Sequence, residues 1–141
     1  MSAIDDFLAG SSFAVAGASQ DRSKYGNRVL RAYLERGYDV TPVNPKETEV
    51  EGLSCVATLA ELPADLHGLS IVTPPPVTEE LVEQAARHGI RRLWMQPGAE
   101  SARAIDRGRE LGLDVIAGGP CVLVELARRD AARDARRGTT A

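Results

Sequence analysis

The chain has 141 residues, a formal net charge of −3 and 43% hydrophobic residues, enough for one domain whose core needs neither disulfides nor metals. That charge does not suit a nucleic-acid binder, which is usually basic with a concentrated positive patch. No apolar run approaches the roughly 18 residues of a transmembrane helix, and the opening MSAIDDFLAG lacks the positive n-region and apolar core of a signal peptide.

The expectation is therefore a cytoplasmic protein with reduced thiols and no membrane or nucleic-acid partner. Its two cysteines, Cys55 and Cys121, stand far apart and form no metal-ligand pattern. No internal repeat is visible.

Short β-like runs alternate with helical patterns along the chain. The first strand is expected over 13–16, closing at Gly17. A helix follows over 27–36, with Val29, Leu30, Tyr33 and Leu34 on one face and Gly37 as its stop. The second strand covers 39–43, where Pro42 cannot donate to a ladder and points to a strand end or an edge-like position. An extended piece over 50–54 and a helical turn over 58–62 come next.

The third strand, 69–73, runs into Pro74-Pro75-Pro76, which must stop it. A helix over 77–88 places Val77, Leu81, Val82, Ala85 and Ala86 on one face, with Thr78 as a candidate N-cap. A fourth strand over 92–96, a helix over 101–111, a fifth strand over 114–117 and a last helix from about 121 past 127 complete the series. The tail 128–141 mixes both charges with alanine and reads as a solvated helical extension whose last few residues are mobile.

This alternation implies βαβ units: an α/β, Rossmann-like three-layer fold with a mostly parallel sheet of about five strands. Such sheets take ligands beyond the carboxyl ends of their strands. Attention therefore falls on the ends at Gly17, Val43, Thr73, Gln96 and Ala117.

The first end offers Gly17, Ala18 and Ser19, then Ser23, Lys24, Tyr25 and Gly26. A glycine turn followed by a helix N-terminus suits a phosphate. Ser19 stands where the dinucleotide fingerprint G-x-G-x-x-G has its second glycine, and the alternative is an ordinary polar turn. The second end is Asn44, Pro45 and Lys46, where NAD-binding domains commonly carry an acidic residue for the ribose. A lysine there suits a ribose phosphate instead, such as the 3′-phosphate of coenzyme A or the 2′-phosphate of NADP. Its alternative is a solvated turn residue.

At the third end Thr73, Pro74 and Pro75 make a rigid, largely apolar wall or merely terminate a strand. At the fourth, Trp94 and Met95 read as sheet core, while Gln96 and Gly98 lie past the strand facing the cleft. At the fifth, Cys121 opens a helix, where a thiol is either activated or simply buried. Cys55 is read as structural. His67 precedes a strand, and His88 ends a helix where its charge suits the dipole.

The ordered set Gly17-Ala18-Ser19, Tyr25-Gly26, Gly37-Tyr38, Val43-Asn44-Pro45-Lys46, Gly52, Thr73-Pro74-Pro75, Trp94-Met95-Gln96-Pro97-Gly98 and Cys121 resembles the small CoA-binding proteins of bacteria and archaea. These are similar in fold to the N-terminal domain of the succinyl-CoA synthetase alpha subunit. The resemblance runs from about residue 4 to 126 and marks 1–127 as the CoA-binding domain. It implies that Gly17, Ser19 and residues 23–26 hold the phosphates of CoA. Asn44, Pro45 and Lys46 would sit near its adenosine, Thr73, Pro74 and Pro75 would border it, and Gln96, Gly98 and Cys121 would line the cleft. The turn at 118–121 also looks like the glycine-proline-asparagine-cysteine turn of the synthetase.

The synthetase's phosphohistidine domain and nucleotide-grasp domain have no counterpart in these residues, so synthetase activity is not expected from this chain alone. The leading expectation is binding of CoA or an acyl-CoA for sensing or for presentation to a partner. An NADP-binding oxidoreductase and redox regulation through Cys121, including a mixed disulfide with CoA, are the competing readings.

Overall fold

Alternation along each strand sorts its side chains onto two faces, and two hydrophobic layers result. In the computed structural model, which describes residues 2–139, the order is α1 (Ala3–Leu8), β1 (Ser12–Ala16), α2 (Tyr25–Glu35), β2 (Asp39–Val43), β3 (Glu49–Val50) and β4 (Leu53–Ser54). A 3-10 turn (Leu59–Glu61), β5 (Gly68–Ile71), α3 (Pro75–Arg87), β6 (Arg92–Met95), α4 (Ala102–Glu110), β7 (Asp114–Ile116) and α5 (Val122–Thr139) follow. The main sheet has the order β2-β1-β5-β6-β7 with every pairing parallel. β3 and β4 form a separate antiparallel hairpin.

Phe13 and Val15 of β1 and Trp94 of β6 meet α1, α2 and α5 through Phe7, Leu30, Tyr33 and Leu126. The intervening Ala14 and Ala16, with Leu69, Ile71, Leu93 and Met95, meet α3 and α4 through Val82, Ala85 and Ala104. Ser70 breaks the apolar pattern on the α2 side, and its hydroxyl lies 2.8 Å from the buried Tyr33 hydroxyl. Both polar atoms are thereby satisfied inside the core.

The edge-like position expected for Pro42 is borne out, since β2 is the outermost strand. Beyond it Val56 makes one parallel bridge to Val43, where a longer Rossmann sheet carries a further strand. Two expectations are corrected. Thr78 does not cap α3: the helix begins at Pro75, whose fixed φ and missing N–H suit the first helical position. Thr78 is buried within it, its hydroxyl 2.8 Å from that of Thr73. The third strand ends at Ile71, before the prolines are reached.

Helix α1 was not foreseen. It is a single short stretch capped by Ser2 and Asp5 in a reciprocal capping box, and its Phe7 fills the space between Phe13 and Trp94. The charged segment 128–139 continues α5 and is tied down by Arg36 on Asp130, at 2.7 Å. The mobility expected at the extreme C-terminus falls on Thr140 and Ala141, outside the described residues.

Candidate ligand cleft at the strand ends

The chain leaves β1 through Gly17, whose φ is +89°. A Cβ at Gly17 would stand 2.2 Å from the Val72 carbonyl oxygen, and one at Gly26 would stand 2.1 Å from the Gly17 carbonyl oxygen. These are backbone contacts that no side-chain rotation relieves. Two glycines therefore let the start of α2 press directly on the end of β1.

Two asparagine amides set the loop between them. Asn44 donates to the Ala18 carbonyl at 2.7 Å, and the buried Asn27 donates to the Ser19 carbonyl at 2.7 Å. In a trans peptide the next N–H points opposite to the carbonyl. The N–H groups of Ser19 and Gln20 are thus turned away from those amides, and neither meets an acceptor among the described residues.

Helix α2 adds to this. Its N-cap, Lys24, makes no side-chain cap, its first turn carries no acidic residue, and its hydrogen-bond ladder begins only with the Arg28 N–H on the Lys24 carbonyl. The positive end of a helix is left free for an anion. Ser19 and Ser23 are less free than their positions suggest. Ser19 Oγ accepts the Asp21 N–H at 3.1 Å, and the Ser23 hydroxyl and N–H both donate to Asp21. Those two bonds hold the Asp21 carboxyl below its usual range.

At the second strand end Asn44 Oδ1 accepts the Lys46 N–H at 2.9 Å, so the turn is closed by its own side chain and the Lys46 ammonium stands exposed. Pro45 and Thr73 line a cavity of about 250 Å³ with Gly17, Val43, Val77 and Leu81. It lies between the carboxyl ends of β1, β2 and β5, at the point where the chain order reverses across the sheet. Pro74 is exposed and Pro75 is absorbed into α3. The larger open groove between α3 and α4, about 820 Å³, is lined by carboxylates and arginines such as Glu83 and Arg107 that pair with each other. It is a solvated seam rather than a pocket.

The remaining predicted residues gather elsewhere. Tyr25, the first residue of α2, brings its hydroxyl 3.2 Å from Gln96 Oε1 and against the Cys121 sulfur. Gln96 Oε1 also accepts the Val122 N–H at 3.0 Å, which fixes the orientation of the amide. Gln96 is fully buried, and its Nε2 meets no acceptor among the described residues. Burial, and then the contact with Cys121, push the Tyr25 phenol above its usual range. The turn before Cys121 is held by the Trp94 indole N–H on the Pro120 carbonyl at 2.9 Å. Gly98, two residues beyond Gln96, is exposed at φ +93°, its N–H donated to Glu100. Cys55 is tucked behind Asn44, and burial raises its thiol, consistent with a structural residue.

Several participants escaped sequence reasoning. Asn27, Arg31 and Glu51 link the loop to the β3–β4 hairpin, and Gln20 Nε2 reaches the Glu49 carbonyl at 2.8 Å. The one signal available was Asn27 itself, an amide two residues before the apolar stripe of α2.

A glycine cradle, an uncapped helix and amides facing outward are what a diphosphate requires, so the residues present fit CoA. The family model described as "CoA binding domain" matches residues 11–127, and the chain belongs to that family. The motif order had pointed to the same family. A conserved hypothetical protein from Pyrococcus furiosus is 38% identical, with a TM-score of 0.79 over 82% of this chain and 99% of that one. The uncharacterized protein YneT of Bacillus subtilis is 29% identical over 107 residues, 73% of this chain and 76% of its own length. The alpha subunit of an ADP-forming acetate–CoA ligase II from Pyrococcus furiosus is 30% identical over 89 residues, 62% of this chain but 20% of that subunit. Among the curated CoA ligases and the CoA synthase it matches, the chain spans only 11 to 20% of the length.

Proposed function

We propose that this chain binds CoA or an acyl-CoA across the carboxyl ends of its strands and performs no chemical step itself, serving to sense the ligand or present it to a partner. The observation that carries this reading is the start of α2, uncapped and seated on Gly17 through Gly26. Gly17, Ala18, Ser19, Ser23, Lys24, Tyr25 and Gly26 would hold the diphosphate through backbone amides and the helix dipole. Asn44 and Pro45 would shape the adenosine end, where the exposed Lys46 would meet the 3′-phosphate as a point charge. Thr73, Pro74 and Pro75 would wall the ligand, and Gln96, Gly98 and Cys121 would flank its far end.

Calorimetric titration with CoA, acetyl-CoA, NAD and NADP tests this in parallel. CoA and acetyl-CoA are expected to bind and the dinucleotides not. Lys46→Ala is expected to weaken CoA about tenfold, roughly the loss of one charge-assisted phosphate contact, and to leave dephospho-CoA unaffected. Selective binding of NADP would replace this reading with an oxidoreductase.

A second reading rests on Cys121, a half-buried thiol directly before α5 and against the Tyr25 hydroxyl. Its thiolate would attack one sulfur of CoA disulfide, forming a Cys121–CoA mixed disulfide and expelling one CoA thiolate, which takes a proton. Intact mass after incubation with CoA disulfide is expected to rise by one CoA moiety, and not in Cys121→Ser. An unchanged mass in the wild type removes this reading.

A further inference from the structure

The β3–β4 hairpin turns through Glu51 and Gly52, and Glu51 has φ +51°, the one non-glycine residue with positive φ among those described. A long side chain is unusual there, and this one is well occupied. Although it stands at a hairpin tip, the Glu51 side chain is only 22% exposed. Its Oε2 accepts from Asn27 Nδ2 at 3.1 Å and lies 3.5 Å from Arg22 Nε. The same Asn27 amide nitrogen holds the Ser19 carbonyl. Arg31 then joins Asn27 Oδ1 to the Arg22 carbonyl, at 2.7 and 3.1 Å, and closes a ring around the loop.

A carboxylate thus sits beside the free end of α2, on an arginine of the loop proposed to hold phosphate. Glu51 is the ion-pair partner of Arg22 among the described residues, while the Arg22 side chain is 66% exposed and reachable. Resting on the CoA reading, we propose that Glu51 is a resident competitor anion. It holds the Arg22 guanidinium in the free protein and yields it to the ligand's phosphates, so that the hairpin sets affinity for polyanionic ligands. Exchange of one anion for another on a single guanidinium makes affinity depend on Glu51 only while Arg22 is present. The hydrogen bonds from Asn27 to the Ser19 carbonyl and from Arg31 to Asn27 and the Arg22 carbonyl do not use the Glu51–Arg22 pair, and they keep the loop in shape during the exchange.

The test is a double-mutant cycle by calorimetry at low salt, with CoA and with inorganic pyrophosphate as probes. Glu51→Gln keeps an acceptor for Asn27 and removes the charge. It is expected to tighten CoA by about three- to tenfold at low ionic strength and by less at 0.5 M salt, as screening of exposed charges requires. In an Arg22→Gln background the gain is expected to disappear. Glu35→Gln, at the far end of α2, controls for net charge and is expected to change nothing. Weaker binding by Glu51→Gln would make Glu51 a positioning residue for the loop and overturn the proposal. An equal gain with and without Arg22, or with Glu35→Gln, would also overturn it. Pyrophosphate separates the two readings: a Glu51 effect on pyrophosphate with no CoA binding would sink the CoA reading alone, whereas no Glu51 effect on either probe sinks the competitor.

Discussion

Gly26→Ala is expected to destabilise the protein by roughly 2–3 kcal/mol, the scale of forced overpacking, and to remove measurable CoA binding. In an ordinary helix this exchange is stabilising by up to about 1 kcal/mol, because glycine is the poorer helix former. Here the sign reverses. The new methyl would lie 2.1 Å from the Gly17 carbonyl oxygen and 2.9 Å from its carbonyl carbon. To relieve this, α2 must lift from the end of β1, and its free N–H groups move away from the outward amides of the loop. Urea unfolding followed by far-ultraviolet circular dichroism gives the stability, and calorimetry gives the affinity. A variant as stable as the wild type with full CoA affinity would mean that contact of helix and strand is not what builds the site.

Trp94→Ala is expected to cost about 3–5 kcal/mol, the usual range for a fully buried tryptophan. The side chain has no exposure, meets Phe7 edge-on at a centroid distance of 5.2 Å and gives its N–H to Pro120. It joins α1, the sheet and the turn that presents Cys121. Trp94→Phe separates these roles: it keeps most of the apolar contact but leaves the Pro120 carbonyl without its donor, a loss of about 1–3 kcal/mol if that oxygen stays dry. Urea midpoints by circular dichroism rank the three proteins, since the sole tryptophan cannot report on its own removal. Equal midpoints for Trp94→Ala and wild type would show that α1 and the turn are held by other contacts.

The layered fold was legible because strand and helix leave different periods in the chain. Residues 39–43 were bounded correctly as a strand, and the offset of Phe13 and Val15 from Ala14 and Ala16 is the alternation that puts them on opposite faces. Helix α1 was not, because six residues carry too little periodicity and its stability comes from Phe7 packing on Phe13 and Trp94. Thr78 misled for a related reason. Threonine favours a cap when its hydroxyl is free to bond the helix start, yet prolines preset the turn earlier and tertiary packing took the hydroxyl to Thr73.

The candidate site divides the same way. The order of strand-like and helical patterns marked an α/β chain, and the resemblance carried by its motifs pointed to the CoA-binding family and to a site expected after the strands, because backbone periodicity and family motifs are local properties of the sequence. Only the tertiary structure decided which of those residues meet. It joined Tyr25, Gln96 and Cys121 across gaps of 71 and 96 positions, put Pro45 and Thr73 on one cavity, and gave the Gly98 N–H to Glu100. It also brought Glu51 to Arg22 and Asn27 through a hairpin too short to leave a periodic signature. Contacts between distant segments depend on how the layers pack, and no local pattern of residue types encodes that.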